Sequence, residues 1–211
     1  MKSYADAQGS ENDPDAMRAA LRLTAPNSVA YVYLDHEANV AEASLDGGQQ
    51  LPKVELTPVG DGSFTACDPT DPTNCRTFGG FKVNAAGKLV DLTVNKQQIR
   101  PRITAGNGQA VTAGGTTFTF LTAYRSIQSN ALYVTVKIET GTQPIDANIS
   151  SATYRGPDGK QRTAANSAGV TQIDANSNTI VAVFVKGVEA SGSYAAGSAG
   201  SGGLIQAESG R

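Results

Sequence analysis

The chain has 211 residues and a formal net charge of −2, with 17% charged side chains, so it holds one large domain or two small ones and offers no basic surface to nucleic acid. No apolar run approaches the roughly 18 residues that a membrane-spanning helix needs. Gly, Ala, Ser, Thr and Asn make up the shortfall in charge while apolar residues gather in periodic runs, a mixture typical of secreted β-rich chains.

Residues 1–12 are polar and are expected to form a mobile tail. Asp13-Pro14 then reads as the N-cap and first residue of a helix, since proline there sacrifices only an amide that has no partner. Met17, Ala20 and Leu21 share one face of it, with Arg18 and Arg22 opposite, and Ala25-Pro26 ends it. A longer helix opens at Asn27 or Ser28 and closes at Gly47-Gly48. Leu34, Ala38, Ala41 and Leu45 follow a helical spacing, and Val29, Val32, Tyr33 and Val40 widen the stripe enough to lie across a sheet. The one histidine, His36, is flanked by Asp35 and Glu37, which suits a solvated face.

After the helices the apolar period becomes two. Lys53–Pro58, Ser63–Cys67, Arg76–Val83 and Lys88–Val94 read as strands, joined at Gly60-Asp61-Gly62, at the cysteine loop and at Asn84–Gly87. Two helices followed by a four-stranded antiparallel sheet make an α+β domain over residues 13–99, the helices covering one face. This order resembles NTF2-like and cystatin-like folds. The resemblance implies a concavity under the helices, where Val29, Tyr33, Phe64, Phe78, Phe81 and Leu92 would line a pocket for an apolar ligand; the same six would otherwise be plain core.

Both cysteines lie in the loop between Phe64 and Phe78. Cys67 and Cys75, this close and flanked by strand-like runs, suit a cross-strand disulfide; two free thiols are the alternative. Closing about nine residues stabilises by about 2.5 kcal/mol in the loop-entropy model. Such a bridge persists in an oxidising compartment, which points to an extracellular or cell-envelope protein. Met1-Lys2-Ser3-Tyr4 carries no export signal, so an upstream leader or membrane anchor is expected, and with it the only membrane association. Spacing of the CxxC kind, which redox-active pairs use, is absent. Within the loop Asp68, Asp71 and Asn74 recur every third residue. They would offer oxygen ligands to calcium, or simply build a stiff Asp-Pro turn; the EF-hand pattern is not present.

Gln97–Arg102 reads as a joint. Beyond it short strands alternate with turns such as Ala113–Gly115, Ser129-Asn130 and Gly156–Gly159, a spacing that predicts an all-β sandwich over 103–196. Its expected core is Phe118, Phe120, Tyr124, Leu132, Val134, Val136, Ile138, Ile180, Val183 and Val185. The run Ala131–Thr140 with Gln143-Pro144-Ile145, the hairpin Tyr154-Arg-Gly-Pro-Asp-Gly159 and the strand ending in Val183-Phe184-Val185 resemble telokin-like immunoglobulin-fold domains. Those occur on secreted and lipid-anchored bacterial proteins, notably of actinobacteria. Ala175-Asn176 stands where that family has Pro-Gly. The resemblance implies an immunoglobulin-like sandwich and brings no catalytic motif. Residues 197–211 are rich in Gly, Ser and Ala and read as a flexible tail.

No nucleophile elbow, zinc-ligand cluster or phosphate-binding loop is present, and no cofactor is implied. A glycosidase needs only two carboxylates, but without Trp and with 6% aromatic residues a sugar-stacking platform is poorly supplied. Arg76, Arg100 and Arg102 offer a small anion site at the joint or salt bridges across it. The expected function is therefore a non-enzymatic binding or structural module, meeting a protein partner or a second copy of itself at the cell surface. The alternative is a small-molecule carrier, which requires a pocket of a few hundred cubic ångströms. An enzyme would further require a buried, charge-perturbed carboxylate inside that pocket.

Overall fold

A computed structural model describes the chain except Thr70, Asn148 and residues 156–158, 188–192, 196–206 and 209–211. The expected tail over 197–211 thus lies outside the described residues apart from a two-residue strand at 207–208.

The expected mobile tail over 1–12 is corrected. Lys2–Gln8 forms helix α1, whose Tyr4, Ala5, Ala7 and Gln8 are buried. Its polar composition conceals a docking face, while Lys2 and Asp6 pair on the solvent side at 2.8 Å. The Tyr4 hydroxyl donates to the Ala30 carbonyl at 2.9 Å, tying α1 to the long helix. A Cβ on Gly9 would stand 2.2 Å from the Val54 carbonyl oxygen, so only glycine allows the chain leaving α1 to pass against the 52–54 segment. Helix α2 (Pro14–Ala19) starts as expected, with the Asp13 carboxylate accepting the Ala16 amide at 3.0 Å, and runs into a 3-10 turn over Ala20–Leu23. Helix α3 (Val29–Asp46) is capped by Ser28, whose hydroxyl accepts the Tyr31 amide, and stops at Gly47.

The first sheet is the expected meander with a short strand added. Strands β1 (Leu56–Gly60), β2 (Ser63–Asp68), β3 (Asp71–Val83), β4 (Leu89–Val94) and β5 (Gln97–Gln98) pair in sequence order. The cysteine loop belongs to the ladder: Phe64 faces Phe78 and Cys67 faces Cys75, so β3 begins five residues before the apolar alternation that announced it. The Cys67–Cys75 disulfide joins these partners across a Cα separation of 4.0 Å. Replacing both cysteines with serine is expected to cost about 2.5 kcal/mol, read as a lower urea midpoint at unchanged slope. An unchanged midpoint would show that the ladder alone holds the hairpin.

Among its described residues the second half has twelve strands: β6 (Ile103–Ala105), β7 (Ala110–Ala113), β8 (Thr116–Arg125), β9 (Ala131–Glu139), β10 (Ile145–Asp146), β11 (Thr153–Arg155), β12 (Gln161–Thr163), β13 (Asn166–Ala168), β14 (Gln172–Ile173), β15 (Asn178–Lys186), β16 (Ser193–Ala195) and β17 (Ala207–Glu208). The main sheet runs β13-β15-β9-β8-β6, with β7 also on β8; a second runs β12-β11-β16-β17, and β10 pairs with β14. Main sheet and β11 face each other across Phe120, Leu132, Val134, Tyr154, Val183 and Val185, giving a β-sandwich. Ile138 and Val181 extend the same face onto Ile149 and Ile173.

Two residues expected in the sandwich core lie on the other face. In β8 the register shifts between Phe120 and Thr122. That irregularity turns Ala123 into the sandwich and sends Thr122 and Tyr124 toward the helices. Ile180 alternates with Val181 and lies with Val40 and Ala43 of α3. The face of the main sheet away from the sandwich is covered by α3, which on its other side packs β4 of the first sheet. The two halves therefore share α3, and its burial runs round more than one face for that reason.

Candidate functional site

Where α3, the disulfide hairpin and the β8–β9 turn meet, they enclose a cleft of about 340 Å³. Tyr33, His36, Glu37 and Val40 enter it from α3, Leu51 and Val54 from the segment beside Gly9, and Cys67 and Arg76 from the hairpin. Tyr124, Ile127 and Gln128 close the far side. The hairpin and the turn are tied together: the Gln128 side-chain amide donates to Asn74 Oδ1 at 2.9 Å and to the Cys75 carbonyl at 3.3 Å.

Arg76 holds the centre of one wall. Its guanidinium donates to Glu37 Oε2 at 3.0 Å and to Glu11, and the three side chains are only 15–23% exposed. Burial works against the guanidinium charge, but Glu11 and Glu37 outweigh it and hold Arg76 further in its charged form. Burial pushes the Glu37 carboxyl above its ordinary range; Arg76 pulls it down, Glu11 raises it further, and the Tyr33 hydroxyl bonds to it. The Tyr33 and Tyr124 hydroxyls are raised as well, by burial first and then by the Glu37 charge.

His36 is 1% exposed, which corrects the expected solvated position: that side of α3 is covered by the main sheet. Nδ1 lies 2.7 Å from Thr122 Oγ1, which lies 2.6 Å from Thr135 Oγ1. Desolvation pushes the imidazole down to about 3, so it is neutral at physiological pH. Tyr124 presents its ring edgewise to both His36 and Tyr33, with centroids 5.6 and 5.2 Å away.

Of the six side chains expected to line a pocket, Tyr33 lines this cleft. Val29, Phe78 and Leu92 are packed in the core beneath α1–α3, and the Phe64 and Phe81 rings lie together at 6.2 Å, Phe81 against the same core. The concave side of the first sheet is thus filled by its own side chains. Cys67 lines the cleft and Cys75 offers its carbonyl to Gln128. Asp71 is exposed and its carboxylate is held below its ordinary range by the Thr73 hydroxyl and amide, at 2.6 and 3.0 Å. Asn74 accepts from Gln128 and Asp68 lines the cleft. Among the described residues no three His, Cys, Asp or Glu side chains gather to hold a metal ion. Arg76 pairs within the first half, and Arg102 donates to Gln97.

Nothing in the sequence marked Glu11 or Gln128 as site residues, and its pattern placed His36 and its neighbour Glu37 on a solvated face. Glu11 lay in the supposed tail and Gln128 in an ordinary turn. Glu37 did carry a signal, since it follows Tyr33 by one helical turn at the margin of the apolar stripe.

No family model matches the chain, and no curated protein matches it. Among solved structures a secreted protein from Mycobacterium tuberculosis, MPT63, shows a partial likeness. It is 12% identical, with a TM-score of 0.37, over 46% of this chain and 90% of its own.

Proposed function

We propose that this chain is a non-enzymatic binding module of the cell exterior or envelope, holding a small molecule in the cleft on an immunoglobulin-like sandwich. One observation carries the reading: buried His36 and the largely buried ion pair of Arg76 with Glu37 converge on a cavity of about 340 Å³. That is within the size range of small-molecule sites, and apolar walls with a few convergent polar groups are their usual composition. The disulfide supports the compartment. The alternative of a protein partner adding a strand at β1, one edge of the first sheet, has less behind it, because β1 carries Pro58, which cannot donate to a ladder.

A methyl-detected NMR screen of the full chain against a mixed small-molecule library tests this. Saturable shifts are expected at Val40, Leu51, Val54 and Ile127 and at the His36 ring. Shifts confined to other surfaces, or none, would overturn the reading.

A second reading has a specific observation in its favour. Glu37, raised by burial, and neutral His36 share one cavity, a pairing that acid–base catalysis uses. Against it, Arg76 and Tyr33 already engage the Glu37 carboxyl. Chemical conversion of a bound molecule, abolished in Glu37→Gln while binding persists, would establish catalysis.

A further inference from the structure

The hydrogen-bond chain behind His36 decides what its free edge offers. Three contacts link His36 Nδ1 to Thr122 Oγ1 (2.7 Å), Thr122 Oγ1 to Thr135 Oγ1 (2.6 Å), and Thr135 Oγ1 to the Thr122 carbonyl oxygen (3.4 Å). A carbonyl only accepts, so the arrangement that uses all three contacts has Thr135 donating to it, Thr122 donating to Thr135, and His36 Nδ1–H donating to Thr122. In this direction three protons make three bonds. In the reverse direction Thr135 donates to Thr122 and Thr122 to Nδ1, and the contact to the carbonyl goes unused. Nε2 is then a bare acceptor on a side chain 1% exposed, with no partner among the described residues, at the wall of the cleft. Neutral His36 keeps that lone pair at physiological pH.

The neighbouring groups have the same polarity. Glu11 and Glu37 share one guanidinium, which leaves one negative charge over when both are ionised. Arg76 is engaged by these carboxylates and Gln128 by the hairpin, so the guanidinium and this side-chain amide are already committed. The Tyr124 ring stands beside His36 and Tyr33 beside Tyr124, so the wall around the imidazole is aromatic. Acceptors and a surplus negative charge beside aromatic rings call for a ligand that donates and is positive.

We propose that the cleft binds a small primary ammonium on a short apolar body, the ammonium seated between Glu37 and His36 Nε2 and the body against Val40, Leu51, Val54 and Ile127. This rests on the binding-module reading above. A ligand cation also favours the ionised form of Glu37, so binding releases protons wherever that carboxyl is partly protonated.

The test compares n-hexylamine, n-hexanol and hexanoate on the full chain at neutral pH, by calorimetry and by NMR of the cleft methyls and the single histidine ring. Hexylamine is expected to bind saturably at the cleft, hexanol about tenfold or more weakly, as for loss of a charged hydrogen bond, and hexanoate not at all. Glu37→Gln is expected to weaken hexylamine about tenfold and leave hexanol unchanged. If that variant does not fold, the comparison of the three compounds on the unaltered protein decides. Hexanol or hexanoate binding as tightly as hexylamine at the cleft would overturn the proposal and leave the binding-module reading standing. Absence of cleft shifts with these and with every library compound would overturn both. A capped lysine tripeptide binding the cleft more tightly than hexylamine would support the ammonium site and assign its occupant to a peptide side chain.

Discussion

Acidification from pH 6.5 to about 3 is expected to remove about 4 kcal/mol of folding stability through His36 alone. The folded protein holds the imidazole neutral down to about 3, whereas the unfolded chain protonates it near 6.5. Below 6.5 the unfolded state therefore binds the extra proton. The contribution is complete above that pH and is lost as pH falls toward the folded value. By about pH 5 the loss is about 2 kcal/mol. Glu37, the next residue and also buried, acts in the opposite sense: its raised carboxyl favours the fold at low pH, and that contribution is lost as pH rises through its folded value. The two effects separate in a His36→Gln variant, whose urea midpoint should fall less steeply than the parent's between about pH 7.5 and about pH 5. With one histidine in the chain, the ring C2 proton gives an independent reading. It is expected to show no titration near 6.5, and a midpoint there would mean that the ring is solvated.

Arg76→Met is expected to destabilise the protein by about 3–5 kcal/mol at neutral pH, the usual cost of leaving a buried charge without its partner. Glu37 and Glu11 would face each other across the space the guanidinium occupied, at 15% and 23% exposure, with only Tyr33 bonded to Glu37. The loss should shrink as pH falls and the Glu37 carboxyl, already raised by burial, takes up a proton, and most of it should return when both glutamates become glutamine in the Arg76→Met background. Urea midpoints of the single and triple variants check this. Equal destabilisation of the two would show that the packing of Arg76, whose guanidinium lies over the Phe78 ring at 5.9 Å, matters more than its ion pairs.

Much of the architecture follows from local chemistry. Asp13-Pro14 and Ser28 announce two helix starts, and the switch of apolar period after Gly48 announces the sheet. The Phe64 and Phe78 flanks set the register that brings Cys67 to Cys75. The short strands of the second half, with their alternating apolar residues, announce a sandwich.

The candidate site was far less legible, because each of its parts depends on a face covered by something distant in sequence. His36 is buried by Thr122 and Tyr124, which point toward it only because β8 slips its register after Phe120. Glu11 reaches Arg76 because Tyr4 anchors α1 to Ala30 and Gly9 lets the chain pass Val54. Sequence by itself determined helices α2 and α3, the four-stranded meander, the disulfide register and the two-layered second half, since those rest on contacts between neighbours in the chain or on a period that a single strand displays. Only the tertiary structure decided that α3 lies between two sheets and that its apparent solvent edge becomes the wall of a cleft. A helix with a wide apolar stripe can be covered from one side or from two, and the polar residues at its margin give no sign of which until a second sheet takes their water away.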